Sequence, residues 1–250
     1  MIRHIAAREL RGFFLSPLAW TVLAVIELIV ALLFLRQLEA FLEIQPQLAA
    51  TPGAPGMTEV VVAPVFGTVA VLLMLVVPLL TMRLVAEERR SRTLPLLFSA
   101  PLSMRDIVLG KYLGLLGLLG ALLLLLAAMP LSLALLGGLD WGLFAAVFLG
   151  LALMLAAFGA AGLWTSTLTA NPVVAAMAGF GLLILFWIIG MLSGASTGEP
   201  TLFSHLSVQG HLQALLSGRF DTADVLYFVL FAVTFLVLAM RRLDADRLRG

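Results

Sequence analysis

Three groups of residues in this chain have types and spacings that invite chemistry. The first is Glu27, which sits inside the apolar run from Pro17 to Leu38. A carboxylate so placed is costly and faces protein or water. It either lines a path for a polar solute or bonds a neighbouring helix in its protonated form. The second group is His205 and His211, with Asp221 and Asp224 nearby. A separation of six is not a helical metal spacing and two histidines are too few, so no metal site is expected. The third is Gly110-Lys111, the ending of a phosphate-binding loop. Tyr112 follows where Ser or Thr is required, and the upstream glycine spacing is missing, so this chain is expected to bind no nucleotide itself. The sequence has no cysteine, no His-Glu-x-x-His and no serine paired with a histidine inside an apolar run. No catalytic residue is assigned, and an enzyme is not expected.

The elements around these residues are those of a membrane protein. Of 250 residues, 62% are hydrophobic and 12% charged, about half the charge of a soluble domain. A bilayer-spanning helix needs about 20 apolar residues. Six runs qualify: Pro17–Leu38, Pro64–Met82, Ile107–Leu136, Trp141–Trp164, Pro172–Leu192 and Ala223–Met240. The expected fold is all-α, a polytopic bundle of six transmembrane helices. The first run is too long for a signal-peptide core, so no cleavable leader is expected. Ser103-Met104-Arg105-Asp106 reads as a capping box before the third span, and Thr51–Gly56 as a stretch that cannot stay helical. Thirteen of the fifteen Lys and Arg fall before span one, between spans two and three or in the first turns of span three (Lys111), or after span six. That bias places both termini and the central basic loop in the cytoplasm.

Three further patterns bear on function. In residues 1–16, Ile2, Ile5, Ala6, Leu10, Phe13 and Phe14 recur at helical spacing opposite His4, Arg8 and Arg11. Such a helix lies at the interface, apolar side in lipid and basic side towards anionic headgroups, as a plain anchor or as an elbow bracing a moving domain. The loop 83–106 joins Glu87, Glu88, Arg89 and Arg92 to a short apolar piece, Thr93 and Leu94 to Phe98, with Leu96 and Leu97 inside it. That piece either folds back on the lipid surface or inserts into a groove on a soluble partner. Gly110, Gly114, Gly117 and Ala121 make a small-residue stripe on span three, suited to close helix packing within the chain or between subunits.

These segments resemble a known family. The elbow Arg8-Glu9-Leu10-Arg11 with Ser16-Pro17, and the run from Glu87-Glu88-Arg89 through Thr93–Ser103 to Gly110-Lys111, look like ABC-2-type permeases. Thr167–Asn171, Ser204-His205-Leu206 and Gly218–Phe228 fit the same pattern. Within the superfamily the chain is most similar to the gliding-motility (Gld-type) and nitrous-oxide-reductase maturation (Nos-type) membrane subunits. The resemblance implies an exporter subunit of a bacterial inner membrane, with residues 1–16 as elbow and 17–250 as one transmembrane domain carrying an outer segment, 193–222. It implies a coupling helix at Thr93–Ala100 that docks on an ABC ATPase subunit, where ATP and magnesium would be bound. A second permease, identical or not, would complete the pore, and an auxiliary outer-side subunit is compatible with the Gld-like pattern. Lipid is the remaining partner, and no nucleic acid is expected. The competing functions are an ion-coupled secondary carrier, for which one intramembrane acid is few, and a non-transporting scaffold of an assembly complex. The substrate is not legible in the residues.

Overall fold

The computed structural model describes residues 1–49, 55–94, 103–134, 138–194 and 205–249. The helices, in chain order, are α1 (Ile2–Leu15), α2 (Pro17–Ala49), α3 (Ala63–Thr81), α4 (Ala86–Arg90), α5 (Met104–Ala134), α6 (Trp141–Leu168), α7 (Pro172–Gly194), α8 (Val208–Leu216) and α9 (Thr222–Arg249). A π-helical turn, Thr58–Val62, leads into α3. No strand occurs among the described residues. Six helices are long and apolar enough to cross a membrane, and the polytopic all-α expectation holds.

The long helices are apolar on all sides, as spanning helices are, so small residues decide which faces meet. α6 is the central post, packed by α3, α5, α7, α8 and α9. An ideal Cβ at Gly150 would come 2.9 Å from Leu215 of α8, and one at Gly159 would come 3.0 Å from Leu115 of α5. At Gly162 the same atom would strike Thr81 of α3. Without a hydrophobic drive between helices in lipid, such close approach supplies the dispersion contact that holds the bundle. α2 lies at the periphery. It buries one narrow stripe, Ala19, Leu23, Ile26, Val30 and Phe34, and leaves Val25, Leu28, Leu32 and Leu35 exposed.

Several spans are longer than the hydropathy runs. α2 does not stop at Leu38 but continues to Ala49 with Pro46 inside it. At about 1.5 Å per residue this 33-residue helix outruns a core of about 30 Å. Phe41 anchors the extension by packing into the core. The second span starts at the π-turn, where Gln37 Nε2 of α2 donates to the Val60 carbonyl at 3.0 Å. Pro64, four residues on, has no N–H to offer that carbonyl. The polar triplet Thr165-Ser166-Thr167 belongs to α6 and is buried, not part of the turn after it. Within the segment 193–222, α8 is an additional helix with Val208, Leu212 and Leu215 buried. α9 continues past Met240 to Arg249. The capping box expected before α5 is present: Asp106 N–H donates to Ser103 Oγ at 3.1 Å and Ser103 Oγ donates to Asp106 Oδ2 at 2.6 Å.

The termini, α4, the start of α5 and the ends of α6 and α9 gather at one end of the bundle. That end holds most of the basic residues and is called the basic end below.

Candidate functional site: a polar junction around α4

α4 is five residues long, Ala86–Arg90. An isolated helix that short does not persist, so the surrounding chain must hold it. Its N-terminus has no capping side chain of its own; Val85 stands at the N-cap. Ser166, fully buried in the last turn of α6, takes that role from another helix. Its Oγ accepts from Val85 N–H at 3.1 Å and Ala86 N–H at 3.0 Å, and donates to the Met82 carbonyl at 3.0 Å. One hydroxyl thus satisfies three backbone groups freed where α3 breaks before α4.

The C-terminus closes in a Schellman turn. Thr93 N–H donates to the Glu88 carbonyl at 2.9 Å and Arg92 N–H to that of Arg89 at 3.3 Å. Arg92 occupies the left-handed position usually held by glycine, with φ 55°. The Thr93 hydroxyl adds bonds to Ser91 Oγ and the Glu88 carbonyl. This turn fixes the direction in which residues 93 and 94 leave α4.

The side chains of α4 reach in two directions. Glu88 Oε1 lies 2.7 Å from Lys111 Nζ on α5 and 3.6 Å from Arg8 on α1. Lys111 also meets Glu9 Oε1 of α1 at 2.9 Å, and Arg8 closes the circuit to Glu9 at 3.1 Å. Lys111 is only 1% exposed, against 17% for Glu9 and 22% for Glu88. A buried ammonium survives because two carboxylates face it. On the other side, Arg89 donates to Asp246 Oδ2 of α9 at 2.5 Å and to the Thr167 carbonyl of α6 at 2.7 Å. Arg242 lies 3.7 Å from the other oxygen of Asp246. Among the described residues, Glu88 Oε2, Arg89 Nε and Arg242 Nε are buried without a partner, so polar capacity remains inside the junction.

The glycine stripe of α5 serves the same junction. Ideal Cβ atoms at Gly110, Gly114 and Gly117 would lie 2.6 Å from Ile5, 2.6 Å from Glu9 and 2.9 Å from Leu10. The stripe is a groove for α1, which is how Glu9 reaches Lys111. Ile5 is buried in it, and Leu10, Phe13 and Phe14 pack on the core. The expectation that the apolar face of α1 lies in lipid is corrected: that face is occupied by α5. Ala121 is half-buried.

The other sequence-selected residues fall as follows. Glu87 and Arg92 are exposed, whereas Glu88 and Arg89 are half-buried and engaged. The charged flank is therefore not the set of exposed ion pairs that the loop suggested. Leu94, expected to begin an apolar piece stranded outside the bundle, is buried in the core. Leu96, Leu97 and Phe98 lie outside the described residues. Glu27 is half-buried on α2, its Oε2 buried with no partner among the described residues. At the opposite end, His211 Nδ1 lies 2.6 Å from Asp224 Oδ1, its Nε2 lies 3.2 Å from the His205 carbonyl, and its ring stacks on Tyr227 at 4.2 Å. This cluster ties α8 to α9. Beside it, a cavity of about 670 Å³ opens between α3, α7 and α8, with Glu59, Thr68, Gln209 and Gln213 among its walls.

Sequence reasoning missed Glu9, Lys111, Ser166 and Asp246 as members of one site. The available signals were a lysine four residues into an apolar helix and a polar triplet at the end of another. Neither names its partner.

A family model for the ABC-2 family transporter protein matches residues 3–248. The chain belongs to that family. It is a multi-pass membrane protein, the membrane permease of an ABC-type transporter. An ABC-2 permease is a transport component and not itself a catalyst, and it works with ABC ATPase components. No curated protein sequence matches the chain.

Proposed function

We propose that this ABC-2 permease is one half of an exporter of the Gld or Nos type, seated in a bacterial inner membrane with its basic end in the cytoplasm. A second permease, identical or related, completes the pore. Separate ATPase subunits bind ATP and magnesium and drive the pair through the segment that follows α4. The observation that carries this reading is the convergence on α4. Ser166 ties it to α6, Glu88 ties it to α5 and α1, and Arg89 ties it to α9. A five-residue helix bonded to four others is suited to pass a push on residues 93–100 into the whole bundle at once. The bias of basic residues supports the orientation. The resemblance over Glu87–Lys111 supports the subfamily. A secondary carrier would want more than one intramembrane acid, and Glu27 alone does not meet that need.

The test is a double variant in the segment beyond Leu94, Leu97→Ala with Phe98→Ala. Each anchor buried in a partner groove contributes about 1.5–3 kcal/mol. The variant should insert normally, lose its ATPase partner in a pull-down or uncouple ATP hydrolysis from transport. Retained partner and normal transport would remove the docking assignment.

A further inference from the structure

The geometry points to a binding site for an anionic phospholipid at the basic end, between α1, α2 and α3. A cavity of about 190 Å³ opens there, room for a phosphodiester and glycerol but not for acyl chains. Its polar wall is Arg83, Ser16 and Glu9; its apolar wall includes Phe13 and Leu79. Glu9 brings no free charge, because Lys111 at 2.9 Å and Arg8 at 3.1 Å already neutralise it. Arg83 has neither an ion pair nor a hydrogen bond among the described residues. The charge left over in the cavity is therefore one guanidinium, which pairs with phosphate through two parallel N–H···O bonds. The first turn of α2 faces the same space through Leu18 and Ala19, and amides of a first helical turn have no intrahelical acceptors.

Depth agrees with charge. Trp20, one turn into α2, is exposed and donates from Nε1 to the Phe14 carbonyl at 2.7 Å. A tryptophan with an apolar body and a bonded N–H belongs at headgroup level. The phosphate of a lipid would then reach Arg83 while its chains run along the exposed Leu75 and Leu79 of α3. A basic pocket between spanning helices has the chemistry that recognises anionic headgroups. This site is separate from the exposed basic face of α1 and independent of the ATPase reading above.

The experiment uses the full chain, purified and delipidated in neutral detergent. Its melting midpoint is followed against phosphatidylglycerol, phosphatidylcholine with the same chains, or inorganic phosphate. Phosphatidylglycerol should raise the midpoint saturably, and the other two should not. Arg83→Gln should weaken the apparent affinity about tenfold or more, as loss of a charge-assisted pair implies. Gly12→Leu is the second variant: it lies on the cavity wall, and a Cβ there meets nothing within 4 Å. It should block lipid by filling the space, while the lipid-free midpoint stays the same or rises slightly because a helical glycine has been replaced. Arg11→Gln, on the exposed face of α1, should keep the response. The proposal is overturned if phosphate alone reproduces the shift, if phosphatidylcholine matches phosphatidylglycerol, or if either cavity variant responds like the parent.

Discussion

Replacing Lys111 by methionine removes the buried cation that touches both Glu9 and Glu88 and keeps the bulk of the stem. At 2.9 and 2.7 Å, each contact is worth about 6 kcal/mol of gross Coulomb energy at an effective dielectric of about 20. Most of that is offset by the cost of bringing three ions out of water. Breaking a buried pair from one side nonetheless costs about 3–5 kcal/mol, because the stranded partners stay desolvated. Arg8 remains beside both acids, so about 3 kcal/mol is expected. The chain has no cysteine, which permits a clean reporter: Ile5→Cys places a thiol in the groove at Gly110. Lys111→Met should lower stability in denaturant and speed labelling of that thiol as α1 lifts from α5. Adding Glu9→Gln and Glu88→Gln should recover much of the loss, since no charge is then stranded. If Lys111→Met unfolds within about 0.5 kcal/mol of the parent and the thiol stays protected, the triad does not hold α1 in place.

The groove can be tested without touching a charge. Gly114→Ala would bring its Cβ to 2.6 Å from Glu9 Cβ and 3.0 Å from the Ala6 carbonyl, and overpacking of that kind costs about 1–3 kcal/mol. Gly120→Ala, with nothing within 4 Å, should be neutral or up to about 1 kcal/mol stabilising in the same unfolding measurement. Glu27→Gln should alter the transport rate and leave assembly intact if the carboxylate lines a path; an unchanged rate assigns it to packing. A reporter fused after Gly250 should be cytoplasmic and one inserted at Gly53 should face outside; labelling of Gly53 from the cytoplasm would overturn the six-span orientation.

The number of spans and the chain segments that form them were legible because membrane helices announce themselves by length and apolarity alone. Their ends were not. Glu39 to Ala49 fell outside the span by composition, yet tertiary contact at Phe41 and the Gln37 bond to Val60 accompany a helix that continues through it. α8 was too short and too polar to signal itself, and its buried stripe has meaning only against the helices it packs on, α6 foremost. The glycine stripe on α5 was visible, but the sequence could not say what filled it. A helix read as lipid-facing turned out to have its apolar side matched to those glycines residue by residue. Of the acids and bases of the loop, Glu87 and Arg92 are exposed, but Glu88 and Arg89 are half-buried and engaged, which the loop could not reveal because Lys111, Asp246 and Ser166 come from distant parts of the chain. Only the fold brings them within bonding distance.

Ser166 is the residue on which the mechanical account depends most directly. Its hydroxyl serves two N–H groups and one carbonyl at a position with no solvent access. Ser166→Ala orphans all three, and a buried unsatisfied polar group costs about 1–3 kcal/mol; about 3 kcal/mol is expected in total if the turn relaxes. The consequence should reach Arg89. That side chain meets Asp246 and the Thr167 carbonyl only while α4 is held in register. In the parent, Arg89→Gln should be destabilising, since it strands Asp246. In the Ser166→Ala background α4 is already loose, and the same change should cost much less. The double-mutant cycle should therefore show a coupling of more than about 1 kcal/mol, although the two side chains are not bonded to each other. Restoring the hydroxyl with Ser166→Thr should bring back part of both the stability and the Arg89 dependence. Additive losses would mean that α4 is pinned at each contact separately. A push on residues 93–100 would then have no reason to move α1, α6 and α9 together.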